Sequence, residues 1–195
     1  VTHIGTCINE RSGAYGHAHG DSLHLALFAK GAEMLSDIGY SHTKLRHWTV
    51  STVGHNTVVI DRQDQGMRDT DGDLLLFVPD AAGLSAVEAR AEHAYPKLAQ
   101  TYRRQLILVP VSDADAYLVD LFHVRGGSVH DWLLHGSADE DMTAESSLPL
   151  MAGHEPMLEP NETWREPLGE SSQFIPYGLI REVRQGKTDD GFCTT

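Results

Sequence analysis

The sequence predicts an all-β fold, an antiparallel β-sandwich of two or more stacked sheets. Short apolar runs rich in Val, Leu, Ile, Phe and Tyr recur roughly every ten residues. Turn signals stand between them, as in Lys30-Gly31 and Ser112-Asp113-Ala114-Asp115. No long stretch repeats its apolar residues at the helical period.

Taken in order, strands are expected over residues 2–9, 22–30, 33–37, 56–61, 74–79, 84–95, 101–110, 116–124 and 129–134. The Lys30-Gly31 and 112–115 turns read as hairpins. Residues 80–94 hold Ala and Glu enough for a helix, but the regular spacing around them favours strand. After about residue 138 the character changes. Residues 139–171 are acidic and carry Pro149, Pro156, Pro160 and Pro167, the mark of a long irregular excursion. Strand is expected to resume over 174–183. The division is a sandwich over 1–138, then an acidic, Pro-rich excursion and final strands of the same domain over 139–195.

Composition narrows the function. Apolar residues make up 41% and charged residues 22%, an ordinary globular balance. The formal net charge of -13 argues against a nucleic-acid partner, whose binders are basic. No apolar run is long enough for a membrane helix, so membrane insertion is not expected. The chain opens Val1-Thr2-His3-Ile4, strand-like and without a leader pattern, which reads as the interior of a longer chain. Cys7 and Cys193 are too few for a disulfide framework and read as two free thiols, with a bridge between them the alternative.

Twelve histidines are many for this length, and several crowd the first third. In Gly16-His17-Ala18-His19-Gly20-Asp21, strand alternation would point His17 and His19 to one face, with Asp21 if the strand continues. Two imidazoles on one face are a common beginning of a metal site; two surface histidines on an edge strand are the plainer reading. Asp37 ends an apolar run before Ile38-Gly39, where it either bonds its own turn or supplies a carboxylate ligand. His55 opens the apolar strand Asn56-Thr57-Val58-Val59-Ile60-Asp61. His19, Asp37 and His55 are spaced by 18 residues each, so neighbouring strands could bring two imidazoles and one carboxylate together, a set that suits zinc.

These segments resemble the C-terminal sandwich of the heparinase II/III family of polysaccharide lyases, which includes heparin lyases and oligoalginate lyases. The matching pieces are His17-Ala18-His19-Gly20-Asp21, Asp37-Ile38-Gly39-Tyr40, and the run from His55-Asn56-Thr57-Val58 to Gln65. Further on, Tyr102-Arg103-Arg104-Gln105-Leu106, 117–127 and His130-Asp131-Trp132-Leu133-Leu134-His135-Gly136 are similar to the family's following strands.

The resemblance implies zinc held by His19, Asp37 and His55, with His17 facing the substrate. It implies a preceding helical toroid that completes the cleft and supplies an acid–base Tyr, and a periplasmic or secreted location. The implied reaction is β-elimination at a 4-linked uronic acid of a polysaccharide such as alginate or a glycosaminoglycan. His17 and Tyr40 are then the catalytic candidates on this chain, with Arg46, Asn56 and His42 as substrate-binding candidates. The turn after Asp37 reads Ile38-Gly39-Tyr40-Ser41-His42 where the family more commonly has Pro-Gly-Thr-Tyr. The alternatives are a non-catalytic carbohydrate-binding or structural sandwich, and a cupin-like metal barrel. Trp48 and Trp132 read as core or edge packing, Arg103-Arg104 as a strand face with one residue turned inward, and His123, His130 and His135 as hydrogen-bonded structural residues.

Overall fold

The computed structural model describes residues 3–6, 17–68, 70–81 and 83–194. Within them the chain is mostly β, with antiparallel sheets packed as a sandwich. The largest sheet runs β5 (Asp73–Ala81), β6 (Leu84–Arg90), β7 (Thr101–Pro110) and β8 (Ala116–Arg125) in chain order. A second sheet runs β1 (His3–Thr6), β2 (Leu25–Ala29) and β3 (Ala32–Leu35). A third pairs β4 (Val58–Ile60) with β9 (His130–Trp132). Late in the chain β10 (Met151–Ala152) pairs with β11 (Arg184–Gln185).

The period-2 pattern shows why β7 is central. Tyr102, Arg104 and Leu106 point inward and are buried, whereas Arg103 between them is exposed and pairs with Glu88. β7 and β8 register residue for residue from Thr101↔Arg125 to Pro110↔Ala116. The core between the sheets gathers Leu23, Val58, Ile60, Ala89, Ala91, Ala94, Tyr95 and Tyr102. Full burial of each large apolar side chain there is worth about 1.5–3 kcal/mol. Both expected hairpins form. Lys30 and Gly31 take positive φ (56° and 86°), the tight turn that suits twisted strands.

Several boundaries move for identifiable reasons. The expected strand at 22–30 begins only at Leu25, because residues 17–24 form an irregular loop. The expected 84–95 strand ends at Arg90; the chain then turns through a 3-10 segment, Glu92–Ala94, which carries Ala94 and Tyr95 into the core. The 174–183 strand is not formed. Pro176 begins a 3-10 turn, Pro176–Leu179, that buries Tyr177 against Val53 and Val59. Two short helical pieces were not anticipated: α1 (Arg46–Val50) and a 3-10 turn, Thr52–Gly54. The excursion over 139–171 is almost wholly irregular, as expected. Residues 7–16, with Cys7 and Gly16, lie outside the described residues, while Cys193 is an exposed thiol. No helix among the described residues is long and apolar enough to cross a membrane.

Candidate metal centre

Residues 17–24 have no β-ladder, so the loop's buried peptide groups need other partners. Side chains supply them. Gln65, itself buried, accepts the Ser22 N–H at its Oε1 (2.7 Å) and donates from Nε2 to the Ser22 carbonyl (3.1 Å) and the Tyr102 hydroxyl (2.9 Å). Thr57 Oγ1 donates to the same Ser22 carbonyl. Arg104 donates from one amine to the carbonyls of Leu23 (2.6 Å) and Asn56, and grips Asp120 with its other nitrogens (2.9 and 2.6 Å). The turn at Asp61-Arg62, both at positive φ, reverses the chain after β4 and so delivers Asp64 and Gln65 to this place. There Asp64 accepts the Thr52 N–H, and the Gln65 N–H donates to Thr52 Oγ1.

The clamped loop meets the ends of β3 and of the helical segment before β4. His19, Asp21, Asp37 and His55 each place a ligand atom within 4.8 Å of all the others. His19 and His55 are buried, Asp21 is half-buried, and Asp37 stands at the solvent rim. His55 shows how a candidate ligand is presented. Its Nδ1–H donates to the Ser51 carbonyl (2.7 Å), which leaves Nε2 with the lone pair. That Nε2 is buried, has no hydrogen-bond partner, and lies 3.7 Å from Asp37 Oδ1. Asp37 also accepts the Gly39 N–H (2.7 Å), so its bond to its own turn forms while the carboxylate still faces the cluster. Gly39 takes φ +72°, the left-handed conformation this turn requires.

Burial and the neighbouring His55 hold the His19 imidazole below its ordinary pKa, against the pull of Asp21 and Asp37. Burial likewise brings His24 down to about 4, opposed by Asp37 and assisted by His55. The His24 Nδ1 accepts the Asn56 N–H (3.0 Å), and its ring stands edge-on to His55 at 5.5 Å. Two imidazoles beside two carboxylates fit a divalent cation.

The other expected site residues divide into two groups. His17 is exposed, and its ring lies 5.0 Å from Tyr40, which in turn stands 6.2 Å from His19 and 4.9 Å from His42. Arg46 donates from Nε to the Tyr40 hydroxyl (3.0 Å) and lies over its ring at 4.6 Å. His17, Tyr40, His42 and Arg46 therefore form one rim beside the His/Asp cluster.

Asn56 stands apart from that rim. It is 0% exposed, its amide donates to the Leu25 carbonyl, and its Oδ1 accepts the His135 N–H. This staple between β2 and the chain after β9 leaves no group for a substrate.

Sequence reasoning left Asp21 out of the candidate ligand set and missed the clamp formed by Gln65 and Arg104, although it expected one of Arg103-Arg104 to turn inward, as Arg104 does. Asp21 carried a signal, two residues after His19, but through a strand argument, and the loop brings it in by a different path. His135 is structural, as expected, donating from Nε2 to the Val53 carbonyl (2.9 Å). His130 bonds the Gly126 carbonyl. Trp48 packs edge-on to His135, whereas Trp132 is 59% exposed on β9.

The family model described as "Heparinase II/III-like, C-terminal" matches residues 9–174. None of the curated proteins compared matches this chain.

Proposed function

Because the chain belongs to the heparinase II/III-like C-terminal family, we propose that it forms the metal-bearing sandwich side of a polysaccharide lyase cleft. The substrate class is a polysaccharide containing 4-linked uronic acid, cleaved by β-elimination, with a preceding helical toroid closing the cleft. The observation that carries this reading is the rim of His17, Tyr40, His42 and Arg46 standing directly beside the His19, Asp21, Asp37 and His55 cluster.

Zinc is the metal proposed, because the donor set mixes imidazole nitrogen with carboxylate oxygen rather than oxygen alone. Bound there, it would supply a fixed positive charge that locks His19, and with it the loop bearing His17, in place. His19, Asp37 and His55 would hold it, with Asp21 the additional carboxylate.

The elimination is assigned to the rim, where His17 and Tyr40 take the base and acid roles that the resemblance alone would give to a Tyr of the toroid. Arg46 and His42 bind the uronate carboxylate and take up the charge that develops on it. His17 accepts the C5 proton; the C5–H electron pair becomes the C4–C5 double bond, and the C4–oxygen bond breaks. Tyr40 gives its proton to the departing oxygen. Because the Tyr40 oxygen accepts a hydrogen bond from Arg46, its own proton remains free to be given. Solvent then resets His17 and Tyr40.

The test is an assay of the longer parent protein on alginate and glycosaminoglycan oligosaccharides, reading the ultraviolet absorbance of the new double bond. Activity in the parent that falls at least about a hundredfold in His17→Ala supports the assignment. A parent that binds these sugars without turnover contradicts it.

A further inference from the structure

The acidic excursion returns to this rim. Glu170 Oε1 lies 3.0 Å from His42 Nδ1 and 3.5 Å from Arg46 Nε. Glu166 Oε1 lies 3.4 Å from Lys44 Nζ. The turn carrying these carboxylates has its own internal order. Ser172 Oγ accepts the N–H groups of Leu168 and Gly169, both at 2.9 Å, and the Ser172 N–H donates to the Gly169 carbonyl. Just beyond, Phe174 is buried edge-on to His47 of α1 at 5.2 Å, which hangs the turn beside the helix that bears Arg46.

We propose that Glu170, supported by Glu166, is a specificity-determining internal carboxylate that fills the acidic-sugar subsite at Arg46 and His42 and has to be displaced before a uronate can enter. This rests on the lyase reading above. A segment more than a hundred residues away in sequence has placed a carboxylate on Arg46 and His42, the residues assigned to the substrate carboxylate, so the protein itself displays the ligand chemistry this rim accepts. The Arg46 Nε is shared between the Tyr40 hydroxyl and Glu170, so an incoming carboxylate and Glu170 compete for one donor.

The contact is built to yield. The His42 and Glu170 side chains are 74% and 44% exposed, and ion pairs so open to water are weak. A neutral sugar brings nothing to replace Glu170 on Arg46 and His42, whereas a uronate restores the contacts it breaks. The strap therefore selects acidic over neutral residues, and it lowers apparent affinity by the fraction of time it is closed.

Calorimetric titration of the zinc-loaded longer parent protein, in a His17→Ala background that stops turnover, with a 4-linked oligouronate trisaccharide tests this, comparing that background alone with the same background carrying Glu170→Gln or Asp113→Asn. Asp113 lies on the distant, exposed β7–β8 turn, so its variant removes the same formal charge without touching the rim. Glu170→Gln is expected to bind about threefold to tenfold more tightly, with Asp113→Asn unchanged. Equal or weaker binding by Glu170→Gln overturns the strap while leaving the lyase reading standing, and so does an equal gain in Asp113→Asn. No uronate binding by any of the three overturns both.

Discussion

The buried histidines and the polar clamps around them set the properties of the site one residue at a time. His19, His24 and His135 are all held below the ordinary imidazole pKa near 6.5, first of all by burial. The unfolded chain therefore binds protons below pH 6.5 that the folded chain refuses. Stability of the metal-free protein should be full above that pH and fall as the pH drops, for His24 until about pH 4. The total loss is on the order of a few kcal/mol. Thermal melts of metal-free protein from pH 7 to 4 check this. His24→Asn keeps an acceptor for the Asn56 N–H and should flatten the curve.

Gln65 offers a second prediction at this scale. Gln65→Ala removes the acceptor of the Ser22 N–H and one of the two donors to the Ser22 carbonyl, and should cost about 1–3 kcal/mol in denaturant unfolding. A loss under about 0.5 kcal/mol would show that the clamp does not hold the loop. Among single residues, His19, Asp37 and His55 were legible in the sequence, because spacing and chemical type survive without coordinates. Gln65 and Arg104 were not, since a buried amide or guanidinium is recognisable only once the carbonyls it serves are known. Asn56 misled for the same reason: the implied reaction made it a substrate-binding candidate, while its partners lie on β2 and after β9.

Elements fared differently according to what defines them. Hairpins β2–β3 and β7–β8 were legible because their turns are local chemistry. The loop over 17–24 was not, since an H-x-H-x-D pattern reads as strand until tertiary side chains take over the ladder's work. The short helical pieces before β4 were missed because five and three residues carry no periodicity.

The Gly126-Gly127 link after β8 shows how an element can hang on backbone freedom alone. Both residues take positive φ (105° and 71°), and a Cβ on Gly126 would lie 2.0 Å from the Leu98 carbonyl oxygen. Gly126→Ala should therefore destabilise the fold by about 1–3 kcal/mol or more, read as a lower denaturation midpoint at unchanged m-value. An unchanged midpoint would mean the link is not constrained as described.

For the molecule as a whole, the net charge of -13 is at odds with an acidic substrate only if charge is treated as uniform. His42, Lys44 and Arg46 gather at one rim, and there the excursion's carboxylates meet them. The sandwich and its order were readable from spacing and turns. That the excursion folds back over the site was not, because no pattern within 139–171 names its partners.

The claim on which the rest depends is that His19, Asp21, Asp37 and His55 hold a metal. Elemental analysis of the purified chain after zinc resupply, beside a His19→Ala, Asp37→Ala double variant, tests it most directly. About one zinc per chain, absent from a variant that still folds, is the expected result. A well-folded wild-type chain that binds no metal, or a double variant that keeps it, would contradict the assignment.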